Sequence, residues 1–320
     1  MLISPQETSK LIESGKVLHI AGTEALLKKL PKGNWIGGST EYFIAKTGGE
    51  VSNDRLSVME LPCEDFSIKA YSAAEIKNVA TDAFNNGFSI VIVPFDSAVH
   101  IEYARNAPSY KDIFMKNTVG WISGMNLGVS GQTPIAVEGT AATAYADKAV
   151  AVHLKVADGK NVSVGIINIF SQDKSSPVIT FAEEGFSITK CFIDGKEAVF
   201  ADYIAQNKID TKLPLVGDYA GNGVNVSFKS IENGIVNLYA PVFKNIKYRI
   251  AKSIANYENE FNSKLTTFKG KNSTFSCNCI LNFLYGGLEG KKLDTFFGPI
   301  TFGEIAYQLV NQTLVYVTVE

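Results

Sequence analysis

Apolar positions along the chain follow two rhythms. Alternating or short unbroken apolar runs predict strands at residues 17–21, 55–61, 88–95, 118–123, 148–156, 162–170 and 246–254, and in the closing run 314–319. Apolar stripes of helical period predict helices at 5–14 and 23–30, the second opening on Thr23 and stopping at Pro31. The strongest helical pattern of the N-terminal half covers 72–86. There Ser72 and Glu75 make a capping box, Ile76, Val79, Ala80, Ala83 and Phe84 form one stripe, and Gly87 follows as a C-cap. Further helices are expected at 97–106, 109–116, 197–206 and 257–265.

Turn signals divide these elements. Asp158-Gly159 predicts a hairpin joining 148–156 to 162–170, Glu184-Gly185 one joining 178–182 to 186–193, and Asn233-Gly234 one joining 224–230 to 235–239. The polar run 172–176 before Pro177 marks a boundary between a domain 1–173 and a domain 174–320. The expected class is α/β (α+β): layered mixed or antiparallel sheets with flanking helices. Placing Ile44-Ala45 on Ile305-Ala306 sets Gly37 opposite Gly298 and Thr40 opposite Thr301, which suggests two pseudo-related halves.

Composition narrows the function classes. The 320 residues are 46% hydrophobic and 19% charged with a net charge of −2, a globular balance without the basic excess that nucleic acid or anionic lipid would require. The longest apolar runs, such as 89–95, fall far short of the roughly 20 residues needed to span a bilayer. The opening residues lack a basic start and an apolar core, so no signal peptide is expected and the cytoplasm is the expected location. Four cysteines in so long a chain (Cys63, Cys191, Cys277, Cys279) suit reduced, buried thiols. Asn-x-Ser/Thr matches at Asn161, Asn225, Asn272 and Asn311 then have no acceptor role.

Candidate chemistry concentrates in two stretches. Glu304 stands between Gly303 and Ile305 in an apolar strand, either anchoring a bound molecule or holding loop N–H groups. Cys277 and Cys279, two apart on a strand, share a face; a metal or redox pair and packed thiols both fit, and no further ligand lies near to complete a metal site. Ser39, within Gly37-Gly38-Ser39-Thr40-Glu41, invites a nucleophile reading but lacks the second glycine of the hydrolase elbow; lining a turn or pocket is the alternative. The imidazoles are His19, His100 and His153, each readable as structural or as an axial haem ligand. Neither a Walker lysine loop nor a dinucleotide fingerprint is present. Trp35 and Trp121 read as core aromatics.

Short patches resemble the FIST family of bacterial intracellular sensory domains. They are the cysteine strand Cys277-x-Cys279, Gly298-x-x-Thr301-Phe302-Gly303-Glu304-Ile305, the closing Asn311-Gln312-Thr313-Leu314, the N-terminal Gly37-Gly38-Ser39-Thr40, and Ile193-Asp194-Gly195 at the opening of the second part. Tyr42-Phe43-Ile44 stands where that family's N-terminal segment has Gly-Glu-Ile, and Ile280-Leu281 where it has Gly-Arg. The resemblance implies FIST N-like and FIST C-like domains. It also implies non-catalytic binding of a small molecule by Gly37, Gly38, Ser39, Thr40, Glu41, Cys277, Cys279, Thr301, Gly303 and Glu304. The signal would pass to a separate signalling protein. Alternatives are a hydrolase or transferase using Ser39 or Cys277 with Glu304, and a haem-based gas sensor; no other cofactor and no metal is expected.

Overall fold

The computed structural model describes residues 1–219, 221–268, 273–293 and 295–320. Asn272 lies outside the described residues. The fold is α+β, with five mixed or antiparallel sheets among the described residues. Among the described residues no helix is long and apolar enough to cross a membrane. The chain forms two compact units, one of residues 1–167, 263–309 and 313–320, the other of residues 168–262 and 310–312. The second unit thus begins near the polar run at 172–177, but most of the closing stretch, expected to lie with it, belongs to the first unit.

Three six-stranded sheets with one shared strand order make up the first unit. The first sheet runs Leu2–Ile3, Leu56–Glu60, Leu18–Gly22, Trp35–Ser39, Ala136–Glu138, Thr143–Tyr145. The second runs Asp65–Tyr71, Ala149–Lys155, Gly87–Pro94, Asn117–Ser123, Glu304–Ala306, Gln308–Val310. The third runs Val162–Ile167, Leu314–Val319, Phe275–Cys279, Gly298–Thr301, Tyr42–Ala45, Gly48–Val51. In each, the third and fourth strands are parallel. A parallel pair needs a crossover, and a helix supplies it each time: Glu24–Leu27, Ala98–Asn106 or Ile280–Tyr285.

The first unit is therefore a threefold repeat of one strand–helix–strand–hairpin–strand pattern, not a pair of halves. The echo of Gly37, Thr40 and Ile44 in Gly298, Thr301 and Ile305 relates the first repeat to the third, and the second shares its glycine: Gly120 stands opposite Ile305 as Gly298 stands opposite Ile44. Each repeat lends its hairpin to another sheet. The hairpin of the first pairs with Gly298–Thr301, that of the second with Trp35–Ser39, and that of the third with Asn117–Ser123. No repeat can close its own sheet, which makes the three interdependent.

Central strands buried on both faces read as unbroken apolar runs. Gly87–Pro94 is buried at every position. Trp35 and Trp121 are both fully buried, and the indole of Trp121 lies against Gly38, where an added Cβ would come within 2.6 Å of it. The absent side chain is what lets the two layers approach.

Three expectations fail for tertiary reasons. The 72–86 stripe keeps its capping pair, with Ser72 Oγ donating to Glu75 at 2.6 Å, but winds only one 3₁₀ turn, Ile76–Asn78. Asp82 is held by Tyr71 and Lys69, and Asn86 donates to the Val156 carbonyl, so strand contacts replace further helical turns. At 109–116 a 3₁₀ turn, Ala107–Ser109, and irregular turns replace the helix. The Asp158-Gly159 turn is made, but its flanking strands part: Ala149–Lys155 pairs with Asp65–Tyr71 and Gly87–Pro94, and Val162–Ile167 with Leu314–Val319.

The second unit holds a six-stranded and a three-stranded sheet with the helix Phe200–Gln206. Its strand Phe228–Glu232 turns into Ile235–Val242 through Asn233 and Gly234, both at positive φ (52° and 76°), as a two-residue hairpin requires. Asp194-Gly195 makes a further hairpin between Lys190–Ile193 and Lys196–Val199, so the expected helix starts only at Phe200. The hairpin expected at Glu184-Gly185 is made only in part: Ile179–Thr180 pairs antiparallel with Phe192 and Ile193 at the far end of 186–193, while Gly185–Ile188 beside the turn takes Ile235–Val242.

Candidate functional site

In sheets containing parallel strands, ligands enter beyond the carboxyl ends of those strands. In the first unit three turns leave the ends of Trp35–Ser39, Asn117–Ser123 and Gly298–Thr301, and backbone bonds lace them together. The Gly124 N–H donates to the Ser39 carbonyl at 2.7 Å and the Ile122 N–H to the Gly303 carbonyl at 2.8 Å. The Thr40 hydroxyl donates to the Ile300 carbonyl at 2.8 Å.

Beside these turns lies a cleft of about 470 Å³, lined chiefly by Thr23 to Ala25, Thr40, Glu41, Asn53, Met125 and Gln132. That volume suits a small organic molecule. Its first wall follows the strand Leu18–Gly22, its floor follows Trp35–Ser39, and its far wall is the loop between Asn117–Ser123 and Ala136–Glu138. Glu41, only 8% exposed, organises that loop. Its Oε2 accepts from Asn126 Nδ2 at 2.8 Å and its Oε1 from Gln132 Nε2 at 3.2 Å. The Leu127 N–H donates to the Tyr42 hydroxyl at 3.0 Å and the Asn126 N–H to Gln132 Oε1 at 2.7 Å. The carboxylate is thereby fixed by neutral partners, and among the described residues no charged group pairs with it.

The two equivalent places in the threefold pattern are filled. In the second repeat Phe95 occupies the position of Thr23 and meets Phe302 from the neighbouring turn, ring centroids 5.6 Å apart. The ring of Phe302 lies where a Cβ on Gly124 would stand, 1.9 Å away. In the third, Phe283 of the crossover helix meets Tyr42 at 5.8 Å. The missing side chain of Gly124 makes room for the Phe302 ring, and small residues at Thr23 and Ala25 keep the first place open.

The other sequence candidates divide between the strand behind the cleft and a buried cluster. Gly37 and Gly38 lie in Trp35–Ser39, facing core side chains. Ser39 donates to the Gly124 carbonyl at 2.8 Å and accepts the Ile135 N–H at 2.9 Å, so its hydroxyl pins the loop. Thr301, Glu304, Cys277 and Cys279 come together as expected, but in the core. Gly303, at φ 154°, makes the turn that aims Glu304 inward.

The carboxyl of Glu304 is fully buried between two threonines: Thr301 Oγ1 lies 2.8 Å from Oε1, and Thr313 Oγ1 lies 2.8 Å from Oε2. Burial pushes its pKa up to about 8, against the opposing pull of the Thr313 and Thr301 hydrogen bonds. Thr301 Oγ1 donates to Oε1 and also lies 3.2 Å from the Asn278 carbonyl, Oε2 accepts the hydroxyl and N–H of Thr313, and the Cys279 thiol adds a further bond. Cys277 is buried beside it, Sγ 3.4 Å from the Gly120 carbonyl, and burial, then Glu304, push its thiol well up. None of the four cysteines is disulfide-bonded.

The histidines serve the interior. His19 Nε2 accepts from Trp121 Nε1 at 2.8 Å, and burial lowers its pKa to about 3. His153 lies between Ser89 Oγ, 2.7 Å from Nδ1, and Tyr71 Oη, 2.8 Å from Nε2, and Tyr71 reaches Asp82 at 2.8 Å. His100 Nδ1 accepts the Asp96 N–H at 3.2 Å. Asn53, Asn126 and Gln132 escaped the sequence reading: polar residues in loops carry no periodic signal, and only the glycines at 124, 128 and 131 marked the loop. Asn225 and Asn311 are buried, which bars both from glycosylation.

Among curated proteins, none matches this sequence. Residues 3–320 match the model of DUF6976, a family of unknown function, so the chain belongs to that family over nearly its whole length.

Proposed function

We propose that this protein binds a small polar molecule in the Glu41 cleft without transforming it, acting as a cytoplasmic sensory protein of the kind the FIST-like patches imply. The observation that carries the reading is the asymmetry of the threefold pattern. One of three equivalent places is open, at the carboxyl ends of parallel strands, and it holds a fixed, nearly buried carboxylate. A binding role is further supported by the state of the nucleophile candidates. The Ser39 hydroxyl is engaged at both ends by backbone, and the Cys277 thiol is held protonated by burial. A separate partner protein would receive the signal.

Native mass spectrometry of freshly purified protein, compared with the same sample denatured, tests this directly. A retained small mass that disappears in an Ala25→Trp variant, which fills the cleft, is the expected result. Retention unchanged in that variant would remove the cleft from the proposal, and turnover of generic esters or amides dependent on Ser39 would overturn its non-catalytic part.

A further inference from the structure

Resting on the cleft assignment above, we infer that the ligand is a small aliphatic amine bound as its ammonium ion. The lining carries the side chains of Glu24 and Glu41 with the neutral polar groups of Thr23, Asn53, Gln132 and Thr133, and no lysine or arginine. A phosphate or carboxylate ligand would meet these acids in a concave, partly desolvated space where charge effects are amplified. An ammonium ion meets the opposite field.

The two acids differ in role. Glu24 sits on the short helix and pairs with Lys28 one turn on, with both side chains well exposed. Exposed pairs of this kind contribute little. Glu41 is the fixed charge: each of its oxygens accepts one amide hydrogen, from Gln132 and from Asn126. An ionised carboxylate offers about four acceptor positions, so about two remain for a ligand. An ammonium group has three donors in a compact head, which suits two carboxylate lone pairs and one neighbouring hydroxyl or amide oxygen. Ala25 and Met125 give the short alkyl body an apolar wall. A volume of about 470 Å³ accommodates such a chain.

The inference also links the ligand to the loop. The charge that would receive the amine is the same one that ties Asn126 and Gln132, so occupancy changes the hold on the 124–135 loop, where Leu127 and Val129 are exposed.

The test is a thermal-shift and calorimetric titration of the full chain at constant ionic strength. The probes are 1,4-diaminobutane and ethanolamine as amines, succinate as a matched anion and glycerol as a neutral control. The inference expects a saturable rise in melting temperature with an amine, at least tenfold weaker binding in Glu41→Gln, and loss of binding in Ala25→Trp, which leaves Glu41 in place. Two results would overturn it: no response to either amine, or an amine response that survives Glu41→Gln in a folded protein. Binding of succinate that Ala25→Trp abolishes would keep the cleft as the site and reject the amine. A response to every probe that survives Ala25→Trp would reject both.

Discussion

Replacing Glu304 with glutamine isolates the cost of a buried acid. In the folded protein its pKa lies near 8, against an ordinary value of 4.5. A raised pKa means the folded state holds the proton more tightly. The stabilising contribution is complete below about pH 4.5, is lost as pH rises between 4.5 and 8, and changes no further above that window. At neutral pH the unfolded chain gains from ionising Glu304 while the folded protein keeps it neutral, a penalty of about 3 kcal/mol at roughly 1.36 kcal/mol per unit. Glutamine has nearly the same shape and does not titrate. Its Nε2 can donate to Thr301 Oγ1, and its oxygen can accept the hydroxyl and N–H of Thr313. One N–H is left over, at a cost of about 1 kcal/mol. Glu304→Gln should therefore raise stability by about 2 kcal/mol near pH 7 and lower it by about 1 kcal/mol near pH 4.5. Urea unfolding followed by tryptophan fluorescence suits the measurement, because both tryptophans lie in the first unit. Unfolding midpoints of the two proteins that stay parallel across this pH range would refute the reasoning: Glu304 would then be ionised in the native core.

Three further predictions concern the same unit. His153 and His19 are buried neutral, with pKa values lowered to about 4 and about 3 from 6.5, so their contribution is intact above pH 6.5 and lost as pH falls toward those values. His153→Gln should flatten acid unfolding by up to about 3 kcal/mol at pH 4, checked by unfolding midpoints across that range. Gly38→Ala would drive a methyl to 2.6 Å from Ile92 Cγ2 and from Trp121 Cη2, and should cost about 1–3 kcal/mol in chemical denaturation. Ser39→Ala strands the Ile135 N–H and removes a donor from the Gly124 carbonyl, costing about 1–3 kcal/mol, and hydrogen exchange at the amides of 124–135 should rise.

Elements whose stability is set by their own residues were legible in the sequence. The Pro5–Glu13 helix starts on a capping Ser4, Gly87–Pro94 is a continuous apolar run, and Asn233-Gly234 dictates its turn. Elements set by partners were not. The 72–86 stripe is amphipathic in either conformation, and contacts with strands, Tyr71 and Lys69 on Asp82 and Val156 on Asn86, take the place of further helical turns. The Asp158-Gly159 turn signals a chain reversal but not which neighbour each strand will take. In the site, Glu304 announced itself because a carboxylate in an apolar strand needs a partner, and it has partners, both threonines of its own closing segment. Glu41 was named for its place in a glycine-rich segment. Its loop partners Asn126 and Gln132 were invisible because the contact spans 85 to 91 residues of sequence.

The exchange of hairpins explains why a repeated architecture can hold a single site. Each second strand ends against the hairpin entry of another repeat, so each of the three equivalent places is built from two different stretches of chain. Phe95 with Phe302, and Phe283 with Tyr42, fill two places with aromatic pairs of the sort that stabilise a core by about 0.5–1.5 kcal/mol beyond area burial. At the third place Thr23 and Ala25 forgo that packing, and Glu41 stands in it with the neutral partners Asn126 and Gln132. Folding alone would favour a third aromatic plug there, so the open cleft is a cost that binding would offset. Fully packed protein in the Ala25→Trp variant, more stable than the parent and unable to hold a ligand, would carry that argument to its end.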